Sequence, residues 1–124
     1  MSWGSIDGKG IVCEDEYENK ENYFFNDTSV TSYYFQLSFN EKIEIEKNYN
    51  RKYGFNENRI DWVFDKFFIS LNRQTLKLTI TDTNIDKKFY DCDVYSKSKF
   101  FQNLEKTKKQ YQSEYDEKTK KNKI

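Results

Sequence analysis

The sequence predicts an α+β fold, in which an antiparallel curled sheet or small β-barrel of six or seven strands carries one packed C-terminal helix. Two patterns support this prediction. Between residues 10 and 95, apolar residues recur at every second position in several short runs, which is typical of half-buried strands. From residue 96 to 121 the apolar spacing changes to three, four and seven, which is typical of an amphipathic helix.

The composition indicates what the core is made of. Charged residues make up 34% of the 124 residues and hydrophobic residues only 35%, a balance that favours disorder. Aromatic residues reach 19%, and each buried ring removes a large apolar area from water. We therefore expect rings to replace aliphatic side chains in the core. The length fits a single domain, which we place at residues 10–124 behind a flexible arm at residues 1–9.

The clearest strand pattern is a hairpin in the middle of the chain. Two runs with an apolar residue at every second position flank a polar link at residues 72–75. A four-residue polar link suits an antiparallel hairpin, and Asn72 is its residue best able to adopt the left-handed conformation. The two runs hold Phe67, Ile69 and Leu71, and then Leu76, Leu78 and Ile80.

The apolar phase changes just before this hairpin. Ile60, Trp62 and Phe64 lie on even numbers, whereas the apolar set after Asp65 and Lys66 lies on odd numbers. An extra residue in a strand shifts the facing set in this way, so we favour a β-bulge at residues 65–66. A tight turn at the same two residues is the alternative.

Shorter strands are expected on both sides of the central stretch. Residues 47–58 lack periodicity and are interpreted as the longest loop, in which Gly54 permits a turn. At the start of the helix, Ser96 or Ser98 can provide the N-cap. The shorter strands are expected at residues 10–14, 23–25, 33–39, 42–46 and 90–94.

Cys13 and Cys92 are the two cysteines of the chain. One disulfide between them would tie the first strand to the last, and two unrelated buried thiols are the alternative. Closing a loop of about 80 residues would stabilise the fold by roughly 4–5 kcal/mol. Such a bond implies an oxidising compartment, so we expect a periplasmic or extracellular location, with the starting methionine in place of a removed signal peptide.

The composition also excludes several classes of function. The 21 acidic and 21 basic residues balance, so the net charge gives no case for binding nucleic acid or a membrane surface. No apolar run is long enough to span a membrane. Without histidine, the usual general base and the commonest metal ligand are missing. We therefore expect no catalytic centre, no metal site and no cofactor.

Two weak chemical patterns remain. Paired carboxylates on or near strands could serve a small hydrolase. The segment Asp82-x-Asn84-x-Asp86 matches the first ligands of a calcium-binding EF-hand loop, but Lys87 stands where glycine is required, so a plain hairpin turn is favoured. The candidate carboxylates are Asp61, Asp65, Asp91 and Asp93.

The leading functional hypothesis is an exported, non-enzymatic binding or interaction module that contacts a protein or ligand through exposed aromatic residues. Loops on a rigid scaffold often carry such a surface, although the same rings could instead fold back and cap the barrel end. A hydrolase and a phage or toxin-system inhibitor of a host protein are the alternatives. The candidate binding residues are Tyr34, Tyr49, Arg51, Tyr53 and Phe55.

One stretch carries a resemblance. The run LNRQTLKL at residues 71–78, followed by Cys92 and a polar helix, resembles a pattern in short uncharacterised proteins of AT-rich bacteria and their phages. The resemblance covers residues 60–95. Because those proteins often carry an export signal, it implies export, and it implies no activity.

Overall fold

The computed structural model describes residues 5–122, which form nine strands and one helix. The elements are β1 (Lys9–Glu14), β2 (Lys20–Asn26), β3 (Ser29–Leu37), β4 (Ile43–Lys47), β5 (Arg51–Phe55), β6 (Arg59–Phe64), β7 (Phe67–Asn72), β8 (Lys77–Thr81), β9 (Lys87–Ser96) and α1 (Lys97–Thr119).

The strands close into an antiparallel barrel. Successive strands pair along the chain except β4 and β5, and β9 returns to pair with β1. β4 and β5 lie one after the other along the same edge of β3, so the ring has eight positions. The predicted small barrel with a C-terminal helix is confirmed, and the expected six or seven strands were too few.

The inside of the barrel is packed with rings. The rings of Tyr23 and Phe25 meet the Trp62 ring edge-on, with centroid distances of 5.1 and 5.5 Å. Edge-to-face packing of this kind adds to the stabilisation from burial alone. The buried interior residues are Ile11, Cys13, Tyr23, Phe25, Val30, Ile60, Trp62, Ile69, Leu71, Leu78, Tyr90 and Cys92.

The disulfide lies at the seam where the barrel closes. Cys13 in β1 and Cys92 in β9 are directly opposite in the strand register and are covalently joined. Their separation of 79 residues makes this the bond that links the first strand to the last. The predicted disulfide is therefore confirmed.

The helix packs on the outer wall of the barrel, against β1, β4 and β9. It begins after Ser96, whose hydroxyl accepts the Lys99 N–H at 3.4 Å. The Phe100 ring lies so close to Gly10 that an added Cβ would be 2.2 Å from its Cδ1 atom. Only glycine at that wall position lets the helix approach, and Leu104 and Thr107 complete the buried face.

Two expectations about the central hairpins were wrong. Asp65 and Lys66 form a tight turn rather than a bulge, since Phe64 pairs directly with Phe67 and Asp65 has a φ of 55°. In the next link, Leu76 rather than Asn72 adopts the positive φ, at 59°. The Asn72 side chain instead accepts the N–H groups of residues 74 and 75, which holds the turn.

The expected long loop at residues 47–58 was also wrong, because it contains β5. Lys47 is opposite Tyr33 and Arg51 is opposite Val30, so residues 48–50 face only the two residues 31 and 32 of β3. This is a β-bulge, and it hides the period of two from a sequence search. The chain stays attached across it through the Asn48 N–H, which donates to the Ser32 carbonyl at 3.0 Å.

Part of the expected N-terminal arm contacts the barrel. The Gly8 N–H donates to the Phe25 carbonyl at 2.8 Å, and the Asp7 carboxylate accepts the Asp27 N–H at 2.6 Å. Ile6 packs against the interior core. Residues 1–4 of the arm lie outside the described residues.

We predict that Gly10→Ala lowers the free energy of unfolding by about 1–3 kcal/mol, because the added methyl group overlaps the Phe100 ring. Gly54→Ala is the matched control, since nothing lies within 4 Å of the methyl group that it adds in β5. Urea unfolding of both variants measures the difference. Equal stability of the two variants would show that the contact between Gly10 and Phe100 is not tight.

Candidate functional site

One end of the barrel holds a cavity of about 430 Å³, which we call the cup. Its apolar floor and walls are formed by Tyr23, Val30, Trp62, Phe64, Phe67, Ile69, Ile80 and Tyr90. Its polar rim is formed by Glu21, Ser32, Asn48, Tyr49, Arg51, Lys66, Asp82, Asp86 and Lys88.

The cup has a solid floor because the other half of the barrel is filled by side chains. The Phe25 ring meets the Tyr53 ring edge-on at a centroid distance of 5.3 Å. Ile60, Leu71 and Leu78 are at most 1% exposed and close the space around these rings. The cup therefore opens at one end, where the turns at residues 65–66 and 82–86 lie.

The helix α1 supports the β3–β4 hairpin, whose paired residues are flanked by the cup residues Ser32 and Asn48. The Gln112 side chain accepts the Ile43 N–H at 2.7 Å and donates to the Glu41 carbonyl at 3.1 Å. The Tyr115 hydroxyl donates to the Glu41 carboxylate at 3.2 Å. These bonds satisfy backbone groups at the hairpin end, so the helix fixes the position of the hairpin.

Two cations on the rim lie over neighbouring rings. The Arg51 Cζ atom is 5.1 Å from the centroid of the Phe64 ring, and the Lys66 Nζ atom is 5.7 Å from that of the Phe67 ring. Phe64 and Phe67 are opposite each other in the β6–β7 pair. Each ring face attracts the positive charge above it. The register thus places both cations on the same side of the rim.

The acids of the rim come from β2 and from the β8–β9 turn. Burial raises the pKa of Glu21, and the charge of Lys88 partly offsets this rise. The Asp82 carboxylate accepts the N–H groups of Asn84 and Asp86 at 2.9 and 3.1 Å, so it also builds the turn. Burial likewise raises the pKa of Tyr90.

The predicted binding residues are only partly brought together. Tyr49 and Arg51 line the cup. Tyr53 lies beneath it in the filled half, and Phe55, which is 57% exposed, follows at the far end of β5. Tyr34 pairs with Glu46 in the β3–β4 hairpin and is 41% exposed.

Sequence reasoning missed several residues of the cup. Trp62, Ile69 and Ile80 belong to inward-facing sets that the alternation identified, but the pattern does not say which end of a barrel is open. Lys66 was assigned to a bulge, and Lys88 precedes a strand whose pattern begins at Tyr90. Their place on the rim follows from the turns at residues 65–66 and 82–86.

The carboxylates that the hydrolase hypothesis would use lie on other surfaces. The Asp61 carboxylate accepts the Ser70 hydroxyl at 2.6 Å and pairs with Arg59 at 2.8 Å. Asp91 lies 3.8 Å from Lys77. None of Asp61, Asp65, Asp91 and Asp93 is part of the cup lining. Within residues 5–122, no three or more such groups are placed to hold a metal ion.

Exposed rings also occur outside the cup. Phe39, beyond the end of β3, is fully exposed. Phe68 and Phe89 are 42% and 63% exposed, and each neighbours an inward-facing residue in its strand, which places it on the outer face of the barrel. None of these three rings lines the cup.

The chain was compared with protein-family models, curated proteins and solved structures, and no match was found. No helix among residues 5–122 combines the length and the apolar character needed to cross a membrane.

We predict that Glu21→Gln makes the protein more stable than the wild type near pH 7 and not near pH 4. A raised pKa means that folded Glu21 holds its proton more tightly than unfolded Glu21 does, so stability falls as the pH rises above about 4.3. Glutamine does not ionise, so the variant avoids this loss of stability at pH 7. Thermal unfolding at the two pH values measures it, with Glu16→Gln, in the exposed loop after β1, as the control.

An equal change at both pH values would contradict this prediction, because a packing effect does not depend on the protonation of residue 21.

Proposed function

We propose that this protein is a non-enzymatic binding module that takes up a small, largely apolar organic molecule in the cup. The observation that carries the proposal is the cavity of about 430 Å³ with an aromatic and aliphatic floor and a polar rim. Cavities of roughly 300–1,000 Å³ with this distribution of apolar and polar groups are typical of sites for small ligands.

The floor supports an apolar ligand body. Trp62 and Ile69 are each 4% exposed, and Ile80 extends the same surface towards the rim. The half-buried Phe64, Phe67 and Ile80 provide most of the surface that a ligand can cover, and displacing water from it is worth about 25 cal/mol per Å². The edge-on contact between Tyr23 and Trp62 holds the floor rings in place before any ligand arrives.

The surrounding scaffold is suited to binding because it is already ordered. The barrel is closed by the β1–β9 ladder and by the Cys13–Cys92 bond, and α1 supports the β3–β4 hairpin. Less side-chain and loop freedom is lost on binding when the site is formed beforehand. A small domain that leaves a cavity of about 430 Å³ in its interior is therefore consistent with a binding role.

We further propose that the protein is exported. The disulfide supports this proposal, because such bonds persist in oxidising compartments. We expect that protein isolated from its native compartment contains no free thiol at Cys13 or Cys92. Mass spectrometry after alkylation without a reductant measures this, with a reduced sample as the control. Two alkylated cysteines in the unreduced sample would argue against export.

We predict that Ile80→Trp lowers the affinity for the neutral dye N-phenylnaphthylamine about tenfold or more, because the larger side chain occupies the cup. Val63→Trp is the matched control, since Val63 is 57% exposed on the outer face of β6. Titration followed by dye fluorescence measures both affinities. Unchanged binding by Ile80→Trp would place the dye elsewhere on the protein and contradict the proposal.

A further inference from the structure

We infer that the ligand carries an anionic group, such as a carboxylate or a sulfonate, which Arg51 and Lys66 hold at the rim while the apolar part lies on the floor of the cup. This inference rests on the proposed function, because it assigns the chemistry of the molecule that the cup would take.

The positions of the two cations are fixed by the fold. Arg51 begins β5 next to the bulge, is half-buried, and has its guanidinium over the Phe64 ring. Lys66 lies in the turn that joins β6 to β7, with its ammonium group over Phe67. Since Phe64 and Phe67 are direct partners, the two positive groups lie over neighbouring rings that line the cup.

Neither cation forms an ion pair within 4.0 Å among residues 5–122, where the carboxylates that do so pair with Arg59, Lys77 and Lys120. The side-chain hydrogen bond of Arg51 goes to the Asn50 carbonyl at 3.4 Å, which is long. The guanidinium therefore keeps donors for an anion, two oxygen atoms of which it can bind with parallel hydrogen bonds.

The acids of the rim do not oppose this assignment. The positive charge of Lys88, which is also part of the rim, acts to lower the pKa of Glu21 against the effect of burial. The Asp82 carboxylate accepts two backbone N–H groups of its own turn. Glu21 lies in β2, which β3 separates from β5. Asp82 lies closer to the β6–β7 turn, because its neighbour Thr81 is the partner of Phe68 in the register. Among residues 5–122, neither acid forms an ion pair within 4.0 Å with Arg51 or Lys66.

The arrangement of rings and charges selects an amphiphile. Phe67 contacts Lys66 at the rim and also lines the cup with Trp62 below it. A ligand whose head group meets the two cations would place its ring or chain against these apolar side chains. Its anion would replace water at the half-buried Arg51, where electrostatic attraction is stronger than in bulk solvent, and Lys66 would add a second charge from an exposed position.

Two dyes with the same aromatic scaffold test the inference. Anilinonaphthalene sulfonate carries a negative charge, and N-phenylnaphthylamine is neutral. We expect Arg51→Gln and Lys66→Gln each to weaken binding of the sulfonate by about three- to tenfold. We expect the same variants to bind the neutral dye as the wild type does. Fluorescence titration at low ionic strength measures all of these affinities.

Two control variants separate charge from packing. Arg51→Lys keeps the positive charge but loses the pair of parallel hydrogen bonds, so it should bind the sulfonate more tightly than Arg51→Gln and less tightly than the wild type. Lys52→Gln removes a neighbouring charge from an exposed position that does not line the cup, and it should bind both dyes as the wild type does. Added salt should weaken binding of the sulfonate by the wild type and leave the neutral dye unaffected.

Three results would overturn the inference. If both glutamine variants bind the sulfonate as tightly as the wild type and still bind the neutral dye, the ligand has no anionic head group held by these cations. The cup would still be a binding site. An equal loss for both dyes would make Arg51 and Lys66 packing residues. If the wild type binds a cationic amphiphile such as dodecyltrimethylammonium more tightly than the sulfonate, the preferred head group is positive and not negative. Failure of the wild type to bind either dye would refute the proposed function itself.

Discussion

The pairing of β1 with β9, fixed by the Cys13–Cys92 bond, is the interaction on which the rest of the structure depends. It joins segments that are 79 residues apart, so the chain loses much conformational freedom before this ladder can form. Once it forms, the sheet becomes a ring, and its inward rings enclose a common space. The same closure puts the start of α1 beside β1, because the helix directly follows β9.

β1 therefore serves two packing clusters at once. Its inward residues Ile11 and Cys13 belong to the barrel core, and its outward side receives the Phe100 ring at Gly10. Through this contact the barrel orients a helix whose last turns hold the β3–β4 hairpin with Gln112. The position of this hairpin thus depends on a glycine in a distant strand. Covalent, apolar and hydrogen-bonding contacts form one continuous support for the candidate site.

The aromatic residues connect stability to the proposed binding role. Trp62 and Tyr23 are among the most buried residues, and both also line the cup. In this chain with few aliphatic side chains, the aromatic core therefore also provides the apolar floor of the cup. Phe64 and Phe67 extend this relation to the rim, because each holds a cation above its ring. The rings thus provide the packing, the floor and the placement of charge.

The sequence by itself determined which residues face inward along most strands, where the helix begins, and which two cysteines could join. Side-chain alternation and helix spacing are local properties, so they can be read without knowing the fold. The tertiary structure decided what depends on register and closure. It showed the turn at Asp65 where a bulge was expected, and the bulge between Asn48 and Arg51 where a loop was expected. The open end of the barrel and the neighbouring positions of Arg51 and Lys66 arise only when distant strands pair, which no local pattern encodes.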